Sequence, residues 1–78
     1  MIISHVKSLM KEKKKTFLDM VADSGLSRQT IHKARSDEGI AECRLSTLSR
    51  IAKALGVDVK DLFEEVEEPI PKGNYLLR

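Results

Sequence analysis

Arg28, Gln29, Thr30, His32 and Lys33 place five polar side chains of differing hydrogen-bonding type within six consecutive residues. A guanidinium fork matches the O6 and N7 acceptors of guanine, and a carboxamide matches N6 and N7 of adenine. Hydroxyl, imidazole and ammonium groups suit a base edge or a phosphate oxygen. The chemistry these residues support is recognition of nucleic acid rather than bond making. His5 and His32 lie far apart in the chain, no Ser/His/Asp or metal-ligand spacing is visible, and no Gly-rich phosphate loop is present, so no enzyme and no cofactor are expected. Cys43 is the single cysteine, which excludes an internal disulfide and a cysteine-rich zinc site and leaves a reduced, unreactive thiol as the expectation.

Side chains of this kind need a rigid element to present them. Ser27 is a helix cap, and the residues after it turn Ile31 and Ala34 inward while Arg28, Gln29, Thr30, His32 and Lys33 stay largely outward. The preceding segment opens with Thr16-Phe17-Leu18-Asp19, in which a hydroxyl and a carboxylate can satisfy the N–H groups orphaned by a first helical turn. Phe17, Met20, Val21 and Ser24 fall on one face of that helix, and Gly25 ends it where the chain needs a positive φ. Two short helices separated by so tight a turn must cross steeply. That is helix-turn-helix geometry, whose second helix can enter a DNA major groove.

From these residues the chain resembles the phage-repressor-like helix-turn-helix regulators, the xenobiotic response element family. Downstream, Arg44 to Val57 (RLSTLSRIAKALGV) and Asp58 to Phe63 (DVKDLF) look like that family's fourth and fifth helices, so the likeness extends over roughly residues 3 to 63. It implies an all-α, lambda-repressor-like domain of five helices, near 4–13, 16–24, 27–36, 45–55 and 59–65. It also implies a small transcriptional regulator, in all expectation a repressor, with residues 27–36 as the recognition helix. Lys14 and Lys15 resemble the family's corner beside the DNA backbone. Phosphate contacts are expected from Lys14, Lys15, Thr16, Ser27, Arg35 and Arg44. Relatives commonly pair an arginine at the position of Met10 with a glutamate at the position of Arg35, and here both differ. Phe17 stands where relatives carry a glutamine that touches phosphate and braces the recognition helix, and a phenyl ring cannot make that bond.

Length and charge agree with this reading. Seventy-eight residues make one domain, and a chain of that size buries only about 60% of its unfolded surface, so a partner subunit could add stability. Residues 1–35 carry eight basic against three acidic side chains, a net +5, whereas residues 36–78 carry six against nine, a net −3. One half suits a polyanion and the other would be repelled by it. One domain offers few base contacts, so a homodimer on a two-fold double-stranded DNA site is expected. Two alternatives stay open: an antitoxin-type protein whose acidic half engages a toxin, and a protein-interaction module that no longer binds DNA. No apolar run approaches the roughly 20 residues needed to span a bilayer, and the N-terminus lacks the build of a secretion signal, so a cytoplasmic location is expected and a membrane partner is not.

The remaining segments are less regular. The stretch 36–43 is acidic and reads as a flexible, solvated loop, with the domain extending over 1–66 and an acidic, proline-containing tail over 67–78. Met1 to Ser4 and Asn74 to Arg78 have strand character and either pair as a short two-stranded sheet or fray.

Overall fold

The structure is a computed structural model, and it describes residues 1–67. Five α-helices and a two-stranded antiparallel sheet are present among them. In chain order they are β1 (Ile2–Ser4), α1 (Val6–Glu12), α2 (Phe17–Ser24), α3 (Arg28–Ala34), α4 (Asp37–Ala41) and α5 (Leu45–Leu55), then a 3-10 turn (Val59–Asp61) and β2 (Phe63–Glu65).

The helices form where capping and apolar spacing agree. Thr16 Oγ1 accepts from the Asp19 N–H at 3.1 Å, and the Asp19 carboxylate accepts from the Thr16 N–H at 3.0 Å, which closes a capping box at the start of α2. Ser27 Oγ accepts from the Thr30 N–H at 3.2 Å and starts α3. Between them Gly25 adopts φ +74°, and the buried Ser24 hydroxyl, bonded to the Met20 carbonyl, also accepts from the Leu26 N–H. The tight turn therefore leaves these polar groups paired. Helix α5 is amphipathic, burying Leu48, Ile51, Ala52, Ala54 and Leu55. Met20, Ile31, Ile51, Leu62 and Val6 are the largest fully enclosed side chains, so the core draws on α1, α2, α3, α5 and the residue before β2.

Two segments depart from the sequence-based expectation. Residues 36–43 are not a loop: Ser36 Oγ accepts from the Gly39 N–H at 2.9 Å and caps α4, with Asp37 and Glu38 at the favourable end of the helix dipole. Helix α4 packs closely on α3, because a Cβ built on Gly39 would lie 2.0 Å from the Lys33 carbonyl oxygen and 2.5 Å from Ser36 Oγ. Only glycine fits there. The fifth expected helix, 59–65, is a single 3-10 turn followed by β2. Glutamate-rich sequence favours a helix locally, but edge-to-edge pairing with β1 offers residues 63–65 a ladder that a further helical turn would forgo. The strand character expected of Met1 to Ser4 is present as β1, which pairs with β2, placing Ile2 against Glu65, Ile3 against Glu64 and Ser4 against Phe63. Residues 74–78 lie outside the described residues, as does all but the start of the 67–78 tail.

Helix α1 begins at Val6 rather than near residue 4 because Ser4 is committed elsewhere. Its N–H donates to the Asp37 carboxylate at 2.8 Å, its hydroxyl donates to the Ala34 carbonyl at 2.6 Å, and the His5 N–H donates to the Leu62 carbonyl at 2.7 Å. The N-terminal strand thus ties the end of α3, the start of α4 and the residue before β2 together.

Candidate nucleic-acid interface

Helix α3 buries Ile31 and Ala34 completely, which fixes the rotation of the helix. Arg28, Gln29, His32 and Lys33 are left exposed, and Arg35, just past its last turn, is half-buried. Thr30 is also half-buried, with its hydroxyl 2.9 Å from Ser27 Oγ, so these two hydroxyls are engaged with each other at the helix start. Helix α2 packs against α3, and its first residue, Phe17, lies beside side chains of α3 and its end. The Arg28 guanidinium carbon sits 5.0 Å from the Phe17 ring centroid, that of Arg35 sits 4.5 Å away, and the His32 ring centroid is 5.9 Å distant. Positions 28, 32 and 35 recur at i, i+4, i+7, so one stripe of α3 and its end converges on a single phenyl ring.

Two clefts share that ring, and a third shares Lys7 and Arg35 with one of them and His32 with the other. Phe17, Arg28, Gln29 and His32 line the first; Lys7, Met10, Lys11, Lys15, Thr16, Phe17 and Arg35 line the second; Lys7, His32, Lys33, Arg35 and Ser36 line the third. Among the described residues no carboxylate lines any of them. Most of the side chains expected to face DNA are therefore gathered on one surface, and Lys7 and Lys11 join them. Sequence reasoning did not place those two lysines at the interface. Their spacing with Lys15, i, i+4, i+8 along α1 and its end, is the sequence signal that could have found them.

Partial neutralisation limits two members. Lys15 pairs with Asp23 on α2, and that hydrogen bond holds its ammonium above the usual lysine pKa. Lys33 lies 3.9 Å from Glu42, just past α4, with both groups largely solvated. Exposed pairs of this kind are weak and exchange readily for a phosphate.

Lys14 takes a left-handed conformation, φ +57°, where it terminates α1: its N–H donates to the Lys11 carbonyl and the next N–H, of Lys15, reaches back to Met10 at 2.8 Å. It is exposed but lines none of the three clefts, and Arg44, the exposed residue preceding α5, also stands outside them. Met10 is only 5% exposed and Arg35 is partly open, so the altered pair leaves an apolar side chain packed and an arginine on the surface. The two histidines are separate, with His5 beside Glu64 at 3.4 Å. Cys43 Sγ is 3.3 Å from the Gly39 carbonyl, and burial pushes its thiol pKa up, which disfavours the reactive thiolate.

A helix pair in contact, a glycine-cornered turn and cations along the second helix make a surface suited to a polyanion. No helix among the described residues is long and apolar enough to cross a membrane. The family model that matches the chain is described as a Cro/C1-type HTH DNA-binding domain and covers residues 5–68. No curated protein and no solved structure matches.

Proposed function

The chain belongs to the Cro/C1-type helix-turn-helix DNA-binding family, and from that premise we propose that it is a sequence-specific transcriptional regulator, acting as a homodimeric repressor in the cytoplasm. Residues 1–66 form the DNA-binding domain and 67–78 an appended tail. Helix α3 is the recognition helix. Its N-terminal residues, Arg28 and Gln29, are the first to meet base edges in the major groove, and His32 and Lys33 follow one turn on. Ser27 and Thr16 sit at helix starts where N–H groups and hydroxyls suit phosphate oxygens. Lys7, Lys11, Lys14, Lys15, Arg35 and Arg44 supply charge to the backbone and little sequence information.

The observation that carries this reading is the set of three clefts that holds Arg28, Gln29, His32, Lys33 and Arg35 beside Lys7, Lys11 and Lys15, with no carboxylate lining them among the described residues. Selection of bound duplexes from a random pool tests it most directly. A two-fold symmetric site with half-sites about one helical turn, or 34–36 Å, apart is the expected product for a dimer. Recovery of a single asymmetric half-site would remove the dimer, and no enrichment over the starting pool would remove sequence-specific binding.

A further inference from the structure

We propose that Phe17 is a positioning residue for DNA readout: its ring holds the Arg28 guanidinium for base contact and the Arg35 guanidinium for phosphate contact before DNA arrives. The proposal rests on the DNA-binding reading above and adds to it a mechanism of preorganisation that this chain's own phenyl ring provides. Three observations converge on it. Both guanidinium carbons lie over the same ring, at 5.0 and 4.5 Å. The Arg35 Nε is buried and makes no hydrogen bond, so the held part of that side chain is not fixed through a polar partner at this atom. Phe17 itself is half-buried, packed against the hydrophobic core at the first turn of α2, which gives the platform a fixed base.

The chemistry allows this arrangement in the free protein and leaves it open to completion by an anion. A guanidinium offers its face to an aromatic ring and its in-plane N–H fork to an acceptor, so stacking does not consume the donors that read guanine or grip phosphate. An arginine free at a helix start gives up rotamer freedom when it binds, and the ring imposes part of that ordering in advance. Two cations gathered around one ring also repel each other. The ring's negative face offsets some of that repulsion, and since no carboxylate among the described residues lines the adjoining clefts, the remaining counter-charge is left for the nucleic acid to supply. Phe17 thus braces the recognition helix by a route that needs no hydrogen bond.

The test has one arm without DNA and one with it. In the free wild-type protein, the side-chain NMR resonances of Arg28 and Arg35 should be displaced by the ring current and should return toward random-coil positions in Phe17→Leu. Undisplaced wild-type resonances would overturn the proposal, whether or not the leucine variant folds. In the DNA arm, the ratio of affinity for the selected site to affinity for random duplex is measured for the wild type, Phe17→Leu, Phe17→Tyr, Arg28→Ala and the Phe17→Leu/Arg28→Ala double variant. Phe17→Leu should lower the ratio about two- to fivefold, Phe17→Tyr should retain it, and leucine at 17 should add almost nothing once Arg28 is alanine. Fully additive effects, or a tyrosine variant as impaired as the leucine one, overturn the role of Phe17 while leaving DNA binding intact. A wild-type protein that binds no duplex overturns both.

Discussion

The α2-turn-α3 unit and the brace made by β1, α4 and β2 are built on opposite principles. In the first, each helix start is fixed by a residue three positions away, Thr16 with Asp19 and Ser27 with Thr30, and the corner by one glycine. In the second, the decisive bonds join residues thirty or more positions apart: Ser4 with Ala34, Ser4 with Asp37, His5 with Leu62. The local unit keeps its outer face free for a ligand because its order comes from short-range contacts and a small buried stripe. The brace commits its polar groups to holding the end of α3 in place. Function and stability are therefore separable in this molecule, and substitutions in the two regions should move different observables.

Gly39→Ala is expected to give the largest effect. On an exposed helix this change gains roughly 0.5–1 kcal/mol of stability, but here the new methyl carbon would lie 2.0 Å from the Lys33 carbonyl oxygen, a backbone atom that cannot swing aside. Helix α4 must move off α3, at a cost of about 3 kcal/mol, the upper end of the usual range for overpacking. Urea unfolding measures it. An alanine variant as stable as the wild type would mean that α4 does not approach α3 this closely and that the brace is looser than its geometry indicates.

Arg28→Ala and Gln29→Ala come next and should act on binding alone. Each is expected to lower affinity for the selected site by about 1–3 kcal/mol and relax preference at one base position, with the thermal midpoint nearly unchanged. Replacing Lys7 or Lys11 should instead weaken all duplexes alike and reduce the magnitude of the salt slope by about 0.9 for each phosphate no longer neutralised. If arginine and lysine variants behaved identically on selected and random DNA, the division between base reading and phosphate contact across this surface would not hold.

What could be read from the sequence follows the same divide. The caps at Thr16 and Ser27 and the positive φ at Gly25 were legible because each depends on neighbours within one or two turns. Helix α4 was not, although Ser36 followed by two acidic residues is a helix-start pattern, because five residues carry too little periodicity to outweigh their loop-like composition. Strand β2 was hidden by Glu64 and Glu65, whose local preference is helical, and only its partner sixty positions away decides otherwise. At the site, the exposed face of α3 was legible from Ile31 and Ala34. The convergence of Arg28 and Arg35 on Phe17 was not, since it depends on the angle at which α2 and α3 cross.

Ser4→Ala probes the brace more gently than the glycine change. It removes the hydroxyl that donates to the Ala34 carbonyl and accepts from the Val6 N–H, and should destabilise the fold by about 1 kcal/mol. Because the Ser4 N–H still reaches Asp37, β1 should remain docked, and amide exchange in α3 should quicken near Ala34 while α2 stays protected. Uniformly faster exchange in both helices would show that the two regions unfold as one unit rather than separately.

The smallest effect expected separates the regions by pH. The Thr16 backbone N–H, with the Thr16 hydroxyl beside it, holds the Asp19 carboxyl below its ordinary value of 3.8. A carboxylate with a depressed pKa in the folded state stabilises the fold fully above its unfolded pKa, and that contribution fades as pH falls through the lower, folded value. Asp19 is fully exposed, so the change should be small. Acidification below about pH 4 should therefore loosen the start of α2 first, while the Ser4 hydroxyl bonds in the brace, which involve no titrating group, persist. Asp19→Asn isolates the charge: the difference in thermal midpoint between wild type and variant should be largest near neutral pH and shrink toward zero as the pH is lowered past that range. A difference that stayed constant down to strong acid would show that the carboxylate's charge contributes nothing to the cap, leaving Thr16 Oγ1 and its bond from the Asp19 N–H to start α2 alone.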